Sequence, residues 1–82
     1  AAVLAEAQAR PDDVAAQTAA ADVEVLSDRL QDAIDRLVAL VRRTAGEDRD
    51  AARLHLLELF SVLDQEDERV LAGRRSLANA LY

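Results

Sequence analysis

A strongly two-faced segment lies between Asp28 and Thr44. Apolar side chains recur in it at steps of three and four residues, which is the spacing of one face of an α-helix. They are Leu30, Ala33, Ile34, Leu37, Val38 and Val41, and charged or amide side chains fill most of the other positions. Arg42 and Arg43 fall in the last turn, where cations are favoured by the helix dipole. The segment therefore predicts an amphipathic helix that buries its apolar face against other helices.

The ends of this helix also have local signals. Ser27 or Asp28 is expected to cap its first turn, because short polar side chains accept hydrogen bonds from free backbone N–H groups. Gly46 stands where a residue in the left-handed conformation would end the helix. We therefore expect the chain to reverse direction on both sides of this segment.

The rest of the chain favours helices too, since two glycines and one proline offer few turns to separate strands. Residues 1–10 are interpreted as the remnant of a preceding helix, and 11–26 as a helix with a stripe of small residues at Val14, Thr18, Ala21 and Val25. Residues 48–63 are apolar around most of the circumference, which predicts a central helix. Acidic residues at 64–67 suit the start of a final helix that runs to Tyr82.

These elements predict an all-α fold, an antiparallel helical array within one domain, 1–82. Its parts are the remnant 1–10, a helix pair 11–44 and a C-terminal helix pair 47–82. The net charge of −6 provides no basic face for nucleic acid. No cysteine is present, and no apolar run approaches the ~20 residues of a membrane span. We expect a cytoplasmic chain with neither nucleic-acid nor membrane partners.

Candidate catalytic or metal-binding residues are few. His55 is the single histidine, and a lone imidazole without further ligands predicts a helix-surface position. Asp64, Glu66 and Glu68 alternate as in a calcium loop, but Arg69 and Arg75 stand where that loop needs glycine and glutamate. Serine elbows and glycine-rich phosphate loops are absent as well. We therefore expect no enzyme, no cofactor and no metal.

The stretch from Pro11 to Leu37 resembles one tetratricopeptide repeat. Its features are PDDV at 11–14, a small-residue first helix, a polar turn at 27–28 and DAIDRL at 32–37. The continuation resembles the C-terminal end of the bacterial thioredoxin-like co-chaperones, which carry a tetratricopeptide-like region; it comprises VALVRR at 38–43, AARLHLLELFSVLD at 51–64 and RVLAGRRSLANALY at 69–82. Two residues depart from the repeat pattern: Asp28 replaces the usual glycine and Thr18 a large aromatic residue, which predicts a shallower first groove.

This resemblance implies that the chain is part of a larger protein with a thioredoxin-fold domain upstream. It also implies partners, namely unfolded clients and a chaperonin. Carried onto this sequence, the docking residues would be Arg74, Arg75, Leu77, Leu81 and Tyr82. The residues alone leave an alternative open, in which Leu77 and Leu81 belong to the core and the arginines are solvated, because one helix face cannot serve both purposes.

A second functional hypothesis is structural. The chain would then be a homodimerisation or domain-spacing element, in which surplus apolar side chains such as Leu54, Leu57 and Val62 pair across a two-fold axis. A catalytic function is the least favoured by the residue inventory. Self-association at micromolar concentration would separate the structural hypothesis from that of an open binding groove.

Overall fold

The computed structural model describes residues 2–82 as a series of α-helices. They are α1 (Ala2–Ala9), α2 (Val14–Leu26), α3 (Leu30–Arg43), α4 (Gly46–Val62) and α5 (Glu68–Leu81). No strand occurs within residues 2–82. The all-α prediction is confirmed, and each predicted helical segment contains a helix.

Helix α3 is central, since it packs against α2, α4 and α5. Its buried side chains are Leu30, Ala33, Ile34, Leu37, Val38, Leu40 and Val41. All six residues of the predicted apolar face are therefore buried. Leu40 joins them because helices cover α3 on more than one side.

The expectation that residues 48–63 form the central helix is wrong. Helix α4 buries only Ala52, Leu56 and Phe60, which lie at steps of four along one stripe. Leu54 is 51% exposed and Val62 is 79% exposed. The leucines of α4 are distributed around its circumference, but neighbouring helices cover only part of it.

Helix α2 begins later than predicted. Asp13 is its N-cap, and the carboxylate accepts a hydrogen bond from the backbone N–H of Ala16 at 3.1 Å. Pro11 and Asp12 lie in the turn that precedes this cap. The proline therefore belongs to the connection between α1 and α2, and the N-capping carboxylate sets the start of the helix.

The predicted stripe of small residues on α2 is only partly right. Ala21 is buried, but Val14, Thr18 and Val25 are only half-buried. The residues that α2 buries are Gln17, Ala20, Ala21 and Glu24. The helix is rotated so that two polar side chains point inward, and a stripe defined by apolar residues alone misses them.

The turn between α2 and α3 is closed by backbone hydrogen bonds. The N–H of Arg29 donates to the Glu24 carbonyl at 2.7 Å, and the N–H of Asp28 donates to the Val25 carbonyl at 3.2 Å. This is the Schellman pattern, which requires a left-handed residue after the helix end, and Asp28 has φ 61°. The expected side-chain cap from Ser27 or Asp28 is wrong, because α3 has Arg29 at its N-cap without a side-chain bond.

Gly46 is left-handed as predicted, with φ 59°, but it opens α4 and does not end α3. Helix α3 has its last residue at Arg43, and the hydroxyl of Thr44 donates to the Leu40 carbonyl at 2.7 Å. Helix α5 begins after the N-cap Asp67, which accepts a hydrogen bond from the N–H of Arg69 at 2.8 Å. This matches the acidic helix start expected at 64–67.

Candidate functional site

An apolar groove lies between α2 and α4. It is lined by Asp22, Val25, Leu26, His55, Glu58, Leu59 and Val62, encloses about 350 Å³ and is called the α2–α4 groove below. Val25 and Leu59 are half-buried and pack against the core. Leu26 is 88% exposed and Val62 is 79% exposed. These two side chains are the most exposed apolar groups of the groove.

A polar contact crosses the α2–α4 groove. Nε2 of His55 lies 2.8 Å from Oδ1 of Asp22, and this contact links α4 to α2. His55 is therefore a partly exposed helix residue that pairs with a carboxylate from a distant part of the chain. Within residues 2–82, no group of three or more potential ligand side chains is arranged to hold a metal ion.

A smaller groove lies between α4 and α5 at the C-terminal end. It encloses about 260 Å³, is called the C-terminal groove below and is lined by Leu57, Arg74, Leu77, Ala78, Leu81 and Tyr82. Four of the five predicted docking residues therefore line one groove. Leu77 is only 5% exposed and belongs to the core, Leu81 is half-buried, and Tyr82 is fully exposed.

The two predicted docking arginines lie in different places. The guanidinium of Arg74 lies 5.1 Å from the centre of the Phe60 ring, and its Nη2 donates to Oε1 of Gln65 at 2.7 Å. Arg75 is exposed beside Glu68 and Leu71, outside the C-terminal groove. The five residues therefore do not form one continuous docking face.

A buried polar network joins the first three helices. Glu24 is 2% exposed, and its carboxylate accepts hydrogen bonds from Nε and Nη2 of Arg36 at 2.8 and 3.2 Å. Nη1 of Arg36 also donates to Oε1 of Gln17 at 2.8 Å. Nε2 of Gln17 donates in turn to the Ala7 carbonyl at 2.7 Å, which anchors α1. The hydrogen bond to Glu24 raises the pKa of Arg36, so the guanidinium stays protonated.

The network was not identified from the sequence, since its partners are 12 and 19 residues apart. Gln17 and Glu24 are seven residues apart on α2, and two polar side chains at that spacing share one helix face. They also lie beside the small residues expected to pack closely. Two polar residues on one helix face, beside small residues that pack closely, are therefore the sequence signal that could have indicated the network.

A polar groove beside this network is lined in part by three arginines, at the N-cap and along α3, that already have partners. Arg29 pairs with Asp32 at 2.9 Å, and Arg43 pairs with Asp12 at 3.0 Å. Arg36 is held by Glu24. Because these guanidinium groups are already paired, an anionic ligand would have to compete with the carboxylates for them.

The succession of packed helices within residues 2–82 is that of a helical-repeat fold. The chain belongs to the tetratricopeptide repeat family, whose sequence profile matches residues 1–82. The predicted resemblance to this repeat is confirmed, and repeats of this type generally mediate protein–protein interactions.

The chain is similar to uncharacterized proteins of Mycobacterium bovis and Mycobacterium tuberculosis. Each is 56% identical to it over 71 residues, which cover 87% of this chain and 23% of the relative. The chain therefore spans about a quarter of the length of the curated relatives it matches. No solved structure matches the chain. None of the helices within residues 2–82 is long and apolar enough to cross a membrane.

Proposed function

We propose that this chain is a non-enzymatic protein-interaction module that binds its partners in the α2–α4 groove. The observation that carries the proposal is the exposure of Leu26 and Val62 above a half-buried apolar floor. Burying one such side chain contributes roughly 1.5–3 kcal/mol. Association costs at least about 4 kcal/mol of lost freedom, so this groove alone supports weak, reversible binding.

We further propose that the module belongs to a thioredoxin-like chaperone whose partners are unfolded clients and a chaperonin. This rests on the resemblance of residues 38–82 to the end of that family. The size of the relatives is compatible with it, since the matched residues make up only 23% of each relative. The exposed Tyr82 beside Leu81 makes the C-terminal groove the second proposed docking surface.

Binding of a permanently unfolded protein tests this function. Reduced and alkylated α-lactalbumin with a fluorescent label would be titrated with the 82-residue chain, and anisotropy would report binding. The double variant Leu26→Ser/Val62→Ser should weaken binding at least about tenfold, which corresponds to about 1.4 kcal/mol. The matched control is Leu71→Ser, which changes an exposed leucine outside both grooves.

Circular dichroism of each variant would show that the helices are retained. Equal binding by the double variant and the parent chain would refute the α2–α4 groove as the binding surface. The variant Tyr82→Ser tests the C-terminal groove in the same titration. A chaperonin-binding measurement with the same variants would test that partner separately.

Homodimerisation is the second candidate function, and the exposure of Leu54 favours it. Leu54, Leu57 and Val62 span about 140° of the circumference of α4, at 100° per residue. That spread is wider than a single dimer seam uses, and Leu57 lines the C-terminal groove. Analytical ultracentrifugation of the parent chain and of Leu54→Ser would show whether a dimer forms and depends on this residue.

A further inference from the structure

Two acidic side chains and no arginine line the α2–α4 groove. Asp22 on α2 is 61% exposed at its side chain, and Glu58 on α4 is exposed. No arginine is among the seven lining residues, and His55 is already within 2.8 Å of Asp22. The acidic groups at the edges of the apolar floor are therefore Glu58, which is exposed, and Asp22, whose Oδ1 contacts His55.

The ends of the two helices add to this negative field. Leu26 is the last residue of α2, and Val62 is the last residue of α4. Both residues line the groove, so the two helix C-termini lie at the same end of it. A helix C-terminus carries about half a negative charge, which favours a nearby cation.

We propose that the α2–α4 groove binds a basic amphipathic helix of a partner protein. The apolar face of that helix covers Leu26 and Val62, and lysine or arginine side chains beside that face reach Asp22 and Glu58. Two neighbouring helices form a groove that a third helix fills, with contacts at steps of three and four residues. This inference rests on the protein-binding function proposed above and specifies the partner.

A second copy of this chain fits the groove less well. A two-fold interface presents the same patch on both sides, so Asp22 and Glu58 of both copies would share one interface. A stable dimer also uses about 20–30 residues on each side, whereas seven line this groove.

Three synthetic helical peptides with a fluorescent label test the proposal. The first has a leucine face flanked by lysines, the second has the same face flanked by glutamates, and the third is the lysine peptide with its leucines changed to serine. Anisotropy at about 20 mM salt should show the first binding at least about tenfold tighter than the other two. The difference from the glutamate peptide should shrink severalfold at about 500 mM salt, because added ions screen exposed charges.

Matched charge variants of the chain locate this effect. Asp22→Asn/Glu58→Gln should reduce the preference for the lysine peptide over the glutamate peptide to about twofold or less. The control Asp50→Asn/Glu66→Gln changes the net charge equally at exposed acids outside the groove and should leave most of the preference intact. An equal loss in both double variants would overturn the proposed site, because the preference would then follow net charge alone.

The remaining outcomes separate this inference from the proposed function. Equal binding of the lysine and glutamate peptides, weakened for both by Leu26→Ser, would overturn the basic-partner inference and leave the binding groove supported. Absence of binding below roughly 1 mM for all three peptides would overturn the basic-partner inference, and the unfolded-protein titration would decide the function separately. A dimer of the parent chain that Leu26→Ser converts to a monomer would identify a second copy as the occupant and overturn this inference.

Discussion

Substituting Gly73 with alanine sets helix propensity against close packing. Alanine is favoured over glycine in a helix interior by about 1 kcal/mol, so the exchange would stabilise an uncrowded helix. At Gly73, however, a Cβ atom would lie 2.8 Å from Cζ and 2.9 Å from Cε1 of Phe60. It would also lie 3.0 Å from Cγ2 of Ile34. Ordinary contacts between carbon atoms are about 3.5–4.0 Å, so neighbouring atoms must move.

The surrounding core decides the sign of the effect. Phe60 is 0% exposed and Ile34 is 1% exposed, so neither side chain has solvent into which it can move. An extra carbon in a packed core costs about 1–3 kcal/mol. Contacts of 3.0 Å or less to two buried side chains place Gly73→Ala at about 2–3 kcal/mol, from which the propensity gain of about 1 kcal/mol is subtracted. We expect Gly73→Ala to lower the free energy of unfolding by about 1–2 kcal/mol. For a domain of this size, each kcal/mol lost from the free energy of unfolding lowers the midpoint temperature of thermal unfolding by about 4–8 °C.

Thermal and urea unfolding followed by circular dichroism would measure this loss. Phe60→Leu removes the Cζ and Cε1 atoms, so Gly73→Ala should cost at least about 1 kcal/mol less in that background. Asn79→Ala, at an exposed position of the same helix, is the control and should change stability by less than about 0.5 kcal/mol. A stability of Gly73→Ala equal to or above that of the parent chain would refute the packing argument.

Three further substitutions test local features of the fold. Asp28→Gly should raise the urea midpoint by an amount equivalent to about 0.5 kcal/mol, because φ 61° strains an aspartate, and a lower midpoint would contradict this. Arg36→Met leaves the buried carboxylate of Glu24 without its cation and should lower the free energy of unfolding in urea by about 3 kcal/mol. Adding Glu24→Gln to this variant should restore part of that loss. Hydrogen bonding to Arg69 lowers the pKa of Asp67 from 3.8 to about 2, so its contribution to stability is present above pH 3.8 and is lost as the pH falls towards 2. Melting curves over this pH range should show a smaller loss of stability for Asp67→Asn than for the parent chain. An NMR titration of Asp67 that gives a pKa near 3.8 would contradict the lowering by Arg69.

The parts of the fold that were predicted correctly depend on local information. The apolar face of α3 follows from spacing within a single helix, and the acidic start of α5 follows from one N-capping carboxylate. Gly46 was predicted to be left-handed, although it opens α4. Spacing and capping involve residues within one or two turns of each other, so the sequence displays them directly.

The parts that were missed depend on which faces find neighbours. Helix α4 has more apolar residues than it buries, and no count within α4 tells which side α3 covers. The inward face of α2 includes Glu24, whose hydrogen-bond partner Arg36 is 12 residues away in the sequence. Both features are properties of pairs of helices, and periodicity within one helix does not define them.

The candidate site also depends on how the helices pair, which the sequence does not display directly. Leu77 was assigned to docking by resemblance, but its position on the buried face of α5 leaves it almost no exposed surface. The pairing of Leu26 with Val62 was not predicted, because the two residues are 36 positions apart in the sequence. Each is the last residue of its helix, and the intervening α3 brings α2 and α4 side by side with those ends together. Apolar residues at matching ends of alternate helices are therefore a signal worth seeking in helical repeats, since folding places them together while leaving both exposed.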